Sequence, residues 1–127
     1  SDGVGTFMAT TARGGGGPSN GVGSTAMPRA NWNVPNAAED YQVKTCDIAK
    51  LVLSFDSDDI IYLKLDVEGS EVEILERMIK TNAIDRVRHT WVEWHSRMFV
   101  DPKEYNSRKR DIRTEMKRRG TNCWDWR

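Results

Sequence analysis

Two pairs of polar residues, each pair two positions apart, carry the side chains in this sequence best suited to chemistry. Asp66 and Glu68 stand at the end of the apolar run Ile60–Val67 (IIYLKLDV). Glu93 and His95 stand at the end of Val87–His95 (VRHTWVEWH). Residues two apart in an extended chain point to the same side, roughly 6.6 Å apart. If the two runs lie side by side, three carboxylates and an imidazole meet on one rim. These are the groups of general acid–base catalysis, worth typically about 10²–10⁴-fold in rate. His95 is the first candidate for the base and Glu93 the second, with Asp66 and Glu68 orienting a bound molecule. No dedicated ligand spacing marks a metal site, so no metal is expected; an ion held by these carboxylates is the weaker alternative. His89, mid-run, reads as a packing residue.

The elements that must position these residues are legible in the periodicity. Ile60–Val67 is short, branched and nearly all apolar, as expected of a strand covered on both faces. Glu68-Gly69 makes a tight exit. Ser70–Lys80 reads as a helix, with Ser70 and Glu73 forming an S-x-x-E capping box. Glu73 with Arg77 and Glu76 with Lys80 are i,i+4 ion pairs. Val72, Leu75 and Ile79 form its apolar stripe, widened by Ile74 and Met78. Val87–His95 is a second strand. Tyr105–Arg119 is a helix with a thin stripe of Tyr105, Ile112 and Met116, ended by Gly120. Thr121–Arg127 begins another strand.

Upstream, Tyr41, Val43 and Thr45 alternate with polar neighbours as in a short strand. Asp47 can cap a helix whose face is Ile48, Leu51, Val52 and Phe55. Eight of the ten glycines lie at or before Gly23, which sets residues 1–40 apart as a glycine-rich loop with one short strand, Thr6–Thr11. Residues 41–127 follow the order strand–helix–strand–helix–strand, which predicts an α/β fold with a mostly parallel sheet and flanking helices. In such sheets, ligands bind beyond the carboxyl ends of the strands, where the two pairs stand.

Composition narrows the classes of function. The chain has 127 residues, 38% hydrophobic and 30% charged, with a formal net charge of zero. That is a globular composition, and the overall charge gives no reason to expect nucleic acid or a membrane surface. No apolar run is long enough for a membrane span, and the first residues do not form a signal peptide. Cys46 and Cys123 lack metal-ligand spacing and read as two free thiols. They fit a reducing compartment, so a cytoplasmic location is the expectation. No pattern speaks to oligomeric state.

The stretch Tyr62–Leu75, YLKLDVEGSEVEIL, resembles the signature of the FkbM family of methyltransferases. Lys64, Asp66, Val67, Glu68, Gly69, Ser70 and Glu71 all match. Val43-Lys44-Thr45 with Asp47 resembles the family's preceding segment, Trp91-Val92-Glu93-Trp94-His95 its next strand, and Ser1–Phe7, loosely, the short small residue–Asp–Gly segment before its variable loop. The resemblance implies a Rossmann-like, S-adenosylmethionine-dependent methyltransferase in which Ile60–Val67 and Val87–His95 are adjacent strands four and five. It implies O-methylation of a hydroxyl on a sugar or natural-product-like acceptor. It also places the glycine-rich cofactor loop and the acidic residue of strand two upstream of Ser1. The chain is therefore expected to be the C-terminal half of the domain, without the N-terminal strands and inactive alone.

Three other motifs compete. Gly21-Val22-Gly23-Ser24-Thr25-Ala26 fits G-x-G-x-x-A, but Pro18 precedes it and Pro28 interrupts the helix it would need, so it reads as a chance match. Asp56-Ser57-Asp58 is a D-x-D, as in metal-dependent nucleotide-sugar glycosyltransferases, but it follows a helical run and reads as a turn. The helix with Arg108, Lys109, Arg110, Arg113, Lys117, Arg118 and Arg119 could contact phosphates in a non-enzymatic binding fragment. A solvated helix face is the simpler reading.

Overall fold

The computed structural model describes residues 3–10 and 37–127. The Gly21–Ala26 match and most of the glycine-rich loop lie outside the described residues. Strand β1 (Gly3–Thr10) pairs antiparallel with β2 (Ala37–Thr45), with Gly3 opposite Thr45 and Phe7 opposite Tyr41. Both strands are longer than alternation indicates: β1 begins three residues before Thr6, and β2 four before Tyr41. Cross-strand pairing extends them through residues that have no clear strand pattern of their own.

Helix α1 spans Ile48–Ser54, and Asp47 caps it as expected, Oδ1 accepting from the Lys50 N–H at 3.3 Å. The buried face, however, is Ala49 and Val52, while Leu51 and Phe55 are each 44% exposed. The cause is tertiary. Asp47 Oδ2 also accepts two bonds from the Arg77 guanidinium, at 2.9 and 2.7 Å, which fixes how the helix is rolled. Phe55 has already left the helix, with extended backbone at ψ 153°.

Then follow β3 (Ile61–Leu65), α2 (Glu71–Lys80), β4 (Val87–Val92), α3 (Lys103–Arg119) and β5 (Asn122–Asp125). The three strands form one parallel sheet in the order β3-β4-β5, with Leu65 beside Val92 and Trp91 beside Trp124. The parallel α/β architecture and the adjacency of the two site-bearing strands are as the sequence predicts. One face of the sheet joins the core: Ile61, Leu63, Leu65, Val87 and Val92 pack with Val72, Leu75 and Met78 of α2 and Ile112 and Met116 of α3.

Among the described residues, the other face of the sheet is left open. Tyr62 is 58% and Trp124 51% exposed. They belong to an open aromatic row in which Tyr62 stacks on His89 at 5.8 Å and His89 accepts a hydrogen bond from Trp124 Nε1 at 3.1 Å. His89 is thus a packing residue of that open face. Lys64 lies on the same side of β3 as Tyr62 and is likewise exposed.

Two local readings of α2 are not realised. Ser70 makes no side-chain cap bond. The i,i+4 pairs are replaced: Arg77 goes to Asp47, and Arg108 of α3 takes both Glu76 and Glu73. The two guanidinium bonds to the buried Asp47 outweigh an exposed i,i+4 pair worth ~0.2–0.5 kcal/mol. Helix α3 buries Tyr105, Ile112 and Met116 as predicted, and it ends at Gly120, whose φ of 74° suits glycine.

Candidate functional site

The site forms where β3 and β4 end together. The Glu93 N–H donates to Leu65 O at 2.9 Å, which keeps the two chains paired one step past the strands. After Asp66 the first chain turns sharply. Glu68 has φ 52° and Gly69 φ 107°, two consecutive residues in the left-handed half of conformational space. Glycine takes that geometry freely, whereas a side-chain-bearing residue pays roughly 1–2 kcal/mol. The turn brings the Glu68 carboxylate back over the strand ends and starts α2 with Glu71 pointing inward.

His95 is the centre. Its side chain is fully buried, and its two ring nitrogens face different surroundings. On the Nδ1 side stands Glu71, also fully buried, with Oε1 at 3.0 Å. The same oxygen accepts from the Tyr105 hydroxyl at 2.5 Å and from the His95 backbone N–H at 3.0 Å, while Glu71 Oε2 accepts from the Gly69 N–H at 2.9 Å. On the Nε2 side stand Asp66 Oδ1 at 3.5 Å, Glu68 Oε2 at 3.5 Å and Glu93 Oε2 at 3.7 Å. Those separations exceed hydrogen-bond length, and among the described residues the buried Nε2 has no hydrogen-bond partner.

Burial and charge act in opposite directions on these groups. Burial alone would raise the Glu71 pKa, but the hydrogen bonds from His95 and Tyr105 prevail and hold it below the ordinary value. Glu71 is therefore an acceptor-only carboxylate, and Nδ1 must carry the proton between them. For His95, burial disfavours the charge, but its bond to Glu71 and the surrounding carboxylates raise the pKa above the ordinary value. Burial raises Glu68, with help from Asp66 and Glu93 and against the pull of His95. Asp66 is pushed upward by partial burial, but the Glu93 carboxyl, Lys64 and His95 together draw it below its usual range.

All four residues singled out in the sequence converge on this rim. Their exposure divides them: the Asp66 side chain is 37% exposed, Glu68 24%, Glu93 14% and His95 not at all. An arriving molecule meets the carboxylates first and the imidazole only through them. Two further members escaped the residue-by-residue reading. Glu71 is visible in sequence only as the last position of the signature, and Tyr105 only as part of an apolar stripe. A carboxylate on the first, inward-facing turn of a helix packed on the sheet was the available signal.

The competing motifs fall elsewhere. Asp56 and Asp59 close an exposed turn on each other, with the Asp56 N–H on Asp59 Oδ2 at 3.1 Å. Several cations of α3 are tied up in ion pairs: Arg108 with Glu76, Arg113 with Asp125, and Arg118 and Arg119 with Glu115. Cys46 and Cys123 are free thiols. Among the described residues no helix is long and apolar enough to cross a membrane.

No curated protein and no solved structure matches the chain. The Methyltransferase FkbM domain matches residues 3–123, a span that takes in the whole acidic rim and the helices beneath it, and the chain belongs to that family of methyltransferases.

Proposed function

We propose that the rim of Asp66, Glu68, Glu93 and His95 serves S-adenosylmethionine-dependent O-methylation of a hydroxyl acceptor, of the kind carried by sugars and natural products. The observation behind this reading is the gathering of three carboxylates within 3.7 Å of one buried imidazole nitrogen, at the carboxyl edge of the sheet in a methyltransferase domain. An anionic rim suits a cofactor that is cationic at both its sulfonium and its amino group.

S-adenosylmethionine supplies an activated methyl group on sulfur, so the protein's task is alignment and removal of one proton. Asp66 and Glu68, the more exposed pair, accept hydrogen bonds from the acceptor's hydroxyls or from the cofactor's amino group. Glu93 would take the proton from the reacting hydroxyl as the oxygen–methyl bond forms and the methyl–sulfur bond breaks, with the cofactor leaving as the neutral thioether. His95, 3.7 Å behind it and held in place by Glu71, is too far to share that proton directly and acts on Glu93 through its charge. The paired cations of α3 favour this reading over phosphate binding, and the exposed Asp56–Asp59 turn favours it over a nucleotide-sugar transferase.

The test is transfer of labelled methyl from S-adenosylmethionine to a panel of hydroxyl acceptors, with calorimetric titration of the cofactor in parallel. Glu93→Gln and His95→Ala should each lower turnover by about 10²-fold or more and change cofactor affinity much less. Rates unaffected in both variants would remove the assigned roles. Micromolar binding of S-adenosylmethionine by the 127-residue chain would place the cofactor's grip within it.

A further inference from the structure

The Nε2 side of His95 presents a difficulty that methyl transfer does not resolve. A buried imidazole nitrogen makes no hydrogen bond, yet carboxylate oxygens surround it at 3.5, 3.5 and 3.7 Å. A buried nitrogen without a partner is unfavourable, because it has given up water and gained nothing in return. Several carboxylates gathered at this spacing also repel one another. A proton on Nε2 would offset one charge but would still lie too far from each oxygen to bond well.

We propose that this is a binding site for a first-row divalent metal ion, with His95 Nε2, Asp66 and Glu68 as ligands. Three observations carry the inference. The spacing is the first. Ligands about 2.1 Å from a tetrahedral centre sit roughly 3.4 Å from each other, so 3.5 Å is too long for a hydrogen bond but right for two ligands of one ion. The candidate ligand atoms of Asp66, Glu68 and His95 all lie within 4.8 Å of one another, a set that a single ion can span with small side-chain adjustments.

The second observation is the orphaned nitrogen itself, buried and aimed into the acidic cluster. The third lies behind the ring. Metal-bound histidines characteristically donate their other N–H to a carboxylate, which fixes the tautomer and turns the free lone pair toward the ion. Glu71 does this to Nδ1 at 3.0 Å and is itself held by Tyr105 and the Gly69 N–H. The ring is therefore oriented before any ion arrives.

One imidazole with two carboxylates is a donor set for Mn²⁺, Co²⁺ or Zn²⁺, and has none of the thiolates that softer ions select. A bound ion would neutralise the rim and satisfy Nε2. It would also leave Glu93, the third carboxylate, facing an acceptor. The inference concerns ion binding alone and stands whether or not the proposed methyl transfer is correct.

The chain contains only two histidines, His89 and His95, which makes the test simple to read. The full chain, stripped with a chelator, is titrated with MnCl₂ and CoCl₂ by calorimetry, while the two imidazole signals are followed by NMR. One ion per chain should bind, and Mn²⁺ should broaden the His95 ring signals before those of His89. Asp66→Asn with Glu68→Gln changes partly exposed side chains and should still fold, as circular dichroism can verify; it should weaken binding by about 100-fold or more. Glu71→Gln should weaken it by about 10–100-fold through ring orientation. Asp58→Asn, in the exposed turn, should change nothing. Failure to bind either ion at about 1 mM, equal broadening of both histidines, or unchanged affinity in the Asp66/Glu68 double variant would overturn the proposal.

Discussion

The two sides of the His95 ring are built on opposite principles. On the Nδ1 side one carboxylate, Glu71, is completely buried and saturated: it accepts from Nδ1, the His95 N–H, the Tyr105 hydroxyl and the Gly69 N–H. On the Nε2 side three carboxylates stand 3.5–3.7 Å away, partly open to solvent and without a hydrogen bond to the nitrogen they surround. A saturated buried network rigidifies the fold, whereas an unsatisfied group at a site entrance stores binding potential for something that arrives later. One residue type, the carboxylate, serves structure on one side and recognition on the other. Burial and partner count make the difference.

That contrast predicts substitutions with unequal effects. The largest should be Glu71→Ala, which strips partners from His95, Tyr105 and Gly69 together. It should lower unfolding free energy by about 3–5 kcal/mol in urea denaturation. A loss below about 1 kcal/mol would show that the Nδ1 side is not the scaffold described. Next, Tyr105→Phe removes only the hydroxyl that donates to Glu71 and accepts from the His95 N–H. It should cost about 1–3 kcal/mol by the same measurement.

Asp47 sharpens the comparison because it is a buried carboxylate saturated by Arg77 and the Lys50 N–H, far from His95 in sequence. Its hydrogen bonds with Arg77 hold its pKa down to about 2. A depressed carboxylate adds stability above its unfolded value and loses it as pH falls. Thermal midpoints should therefore drop as pH falls from about 4 towards about 2, and Asp47→Asn should flatten that limb. An identical acid limb in the variant would show that the Arg77 pair is not formed.

The smallest effect should carry the opposite sign. Burial and its neighbours raise the Glu68 pKa, so ionised Glu68 is a cost to the fold at neutral pH. In the absence of metal, Glu68→Gln should leave stability unchanged or raise it by up to about 0.5 kcal/mol. A loss comparable to that of Tyr105→Phe would erase the distinction between the two sides of the ring.

Much of this was legible before any coordinates. The parallel strands could be read from short branched runs, α2 and α3 from their apolar stripes, and the rim from polar residues two apart at the strand ends. Those signals are local, because periodicity and residue type reflect the pleat and the helical turn directly. The roll of α1 and the Glu73–Arg77 pair depend on partners distant in sequence: Arg77 bonds Asp47 and Glu73 faces Arg108, so stronger tertiary bonds displaced the weaker local ones.

Sequence alone thus determined which residues reach the carboxyl edge, through the lengths of two strands and the turn at Glu68-Gly69. Only the tertiary structure decided what they do there. Glu71 became the anchor of His95 because α2 packs its first turn beneath the strand ends, and Tyr105 joined it because α3 lies alongside. The charge and accessibility of a carboxylate are set by the groups around it, and those groups come from elements more than twenty residues apart, beyond the reach of any local pattern.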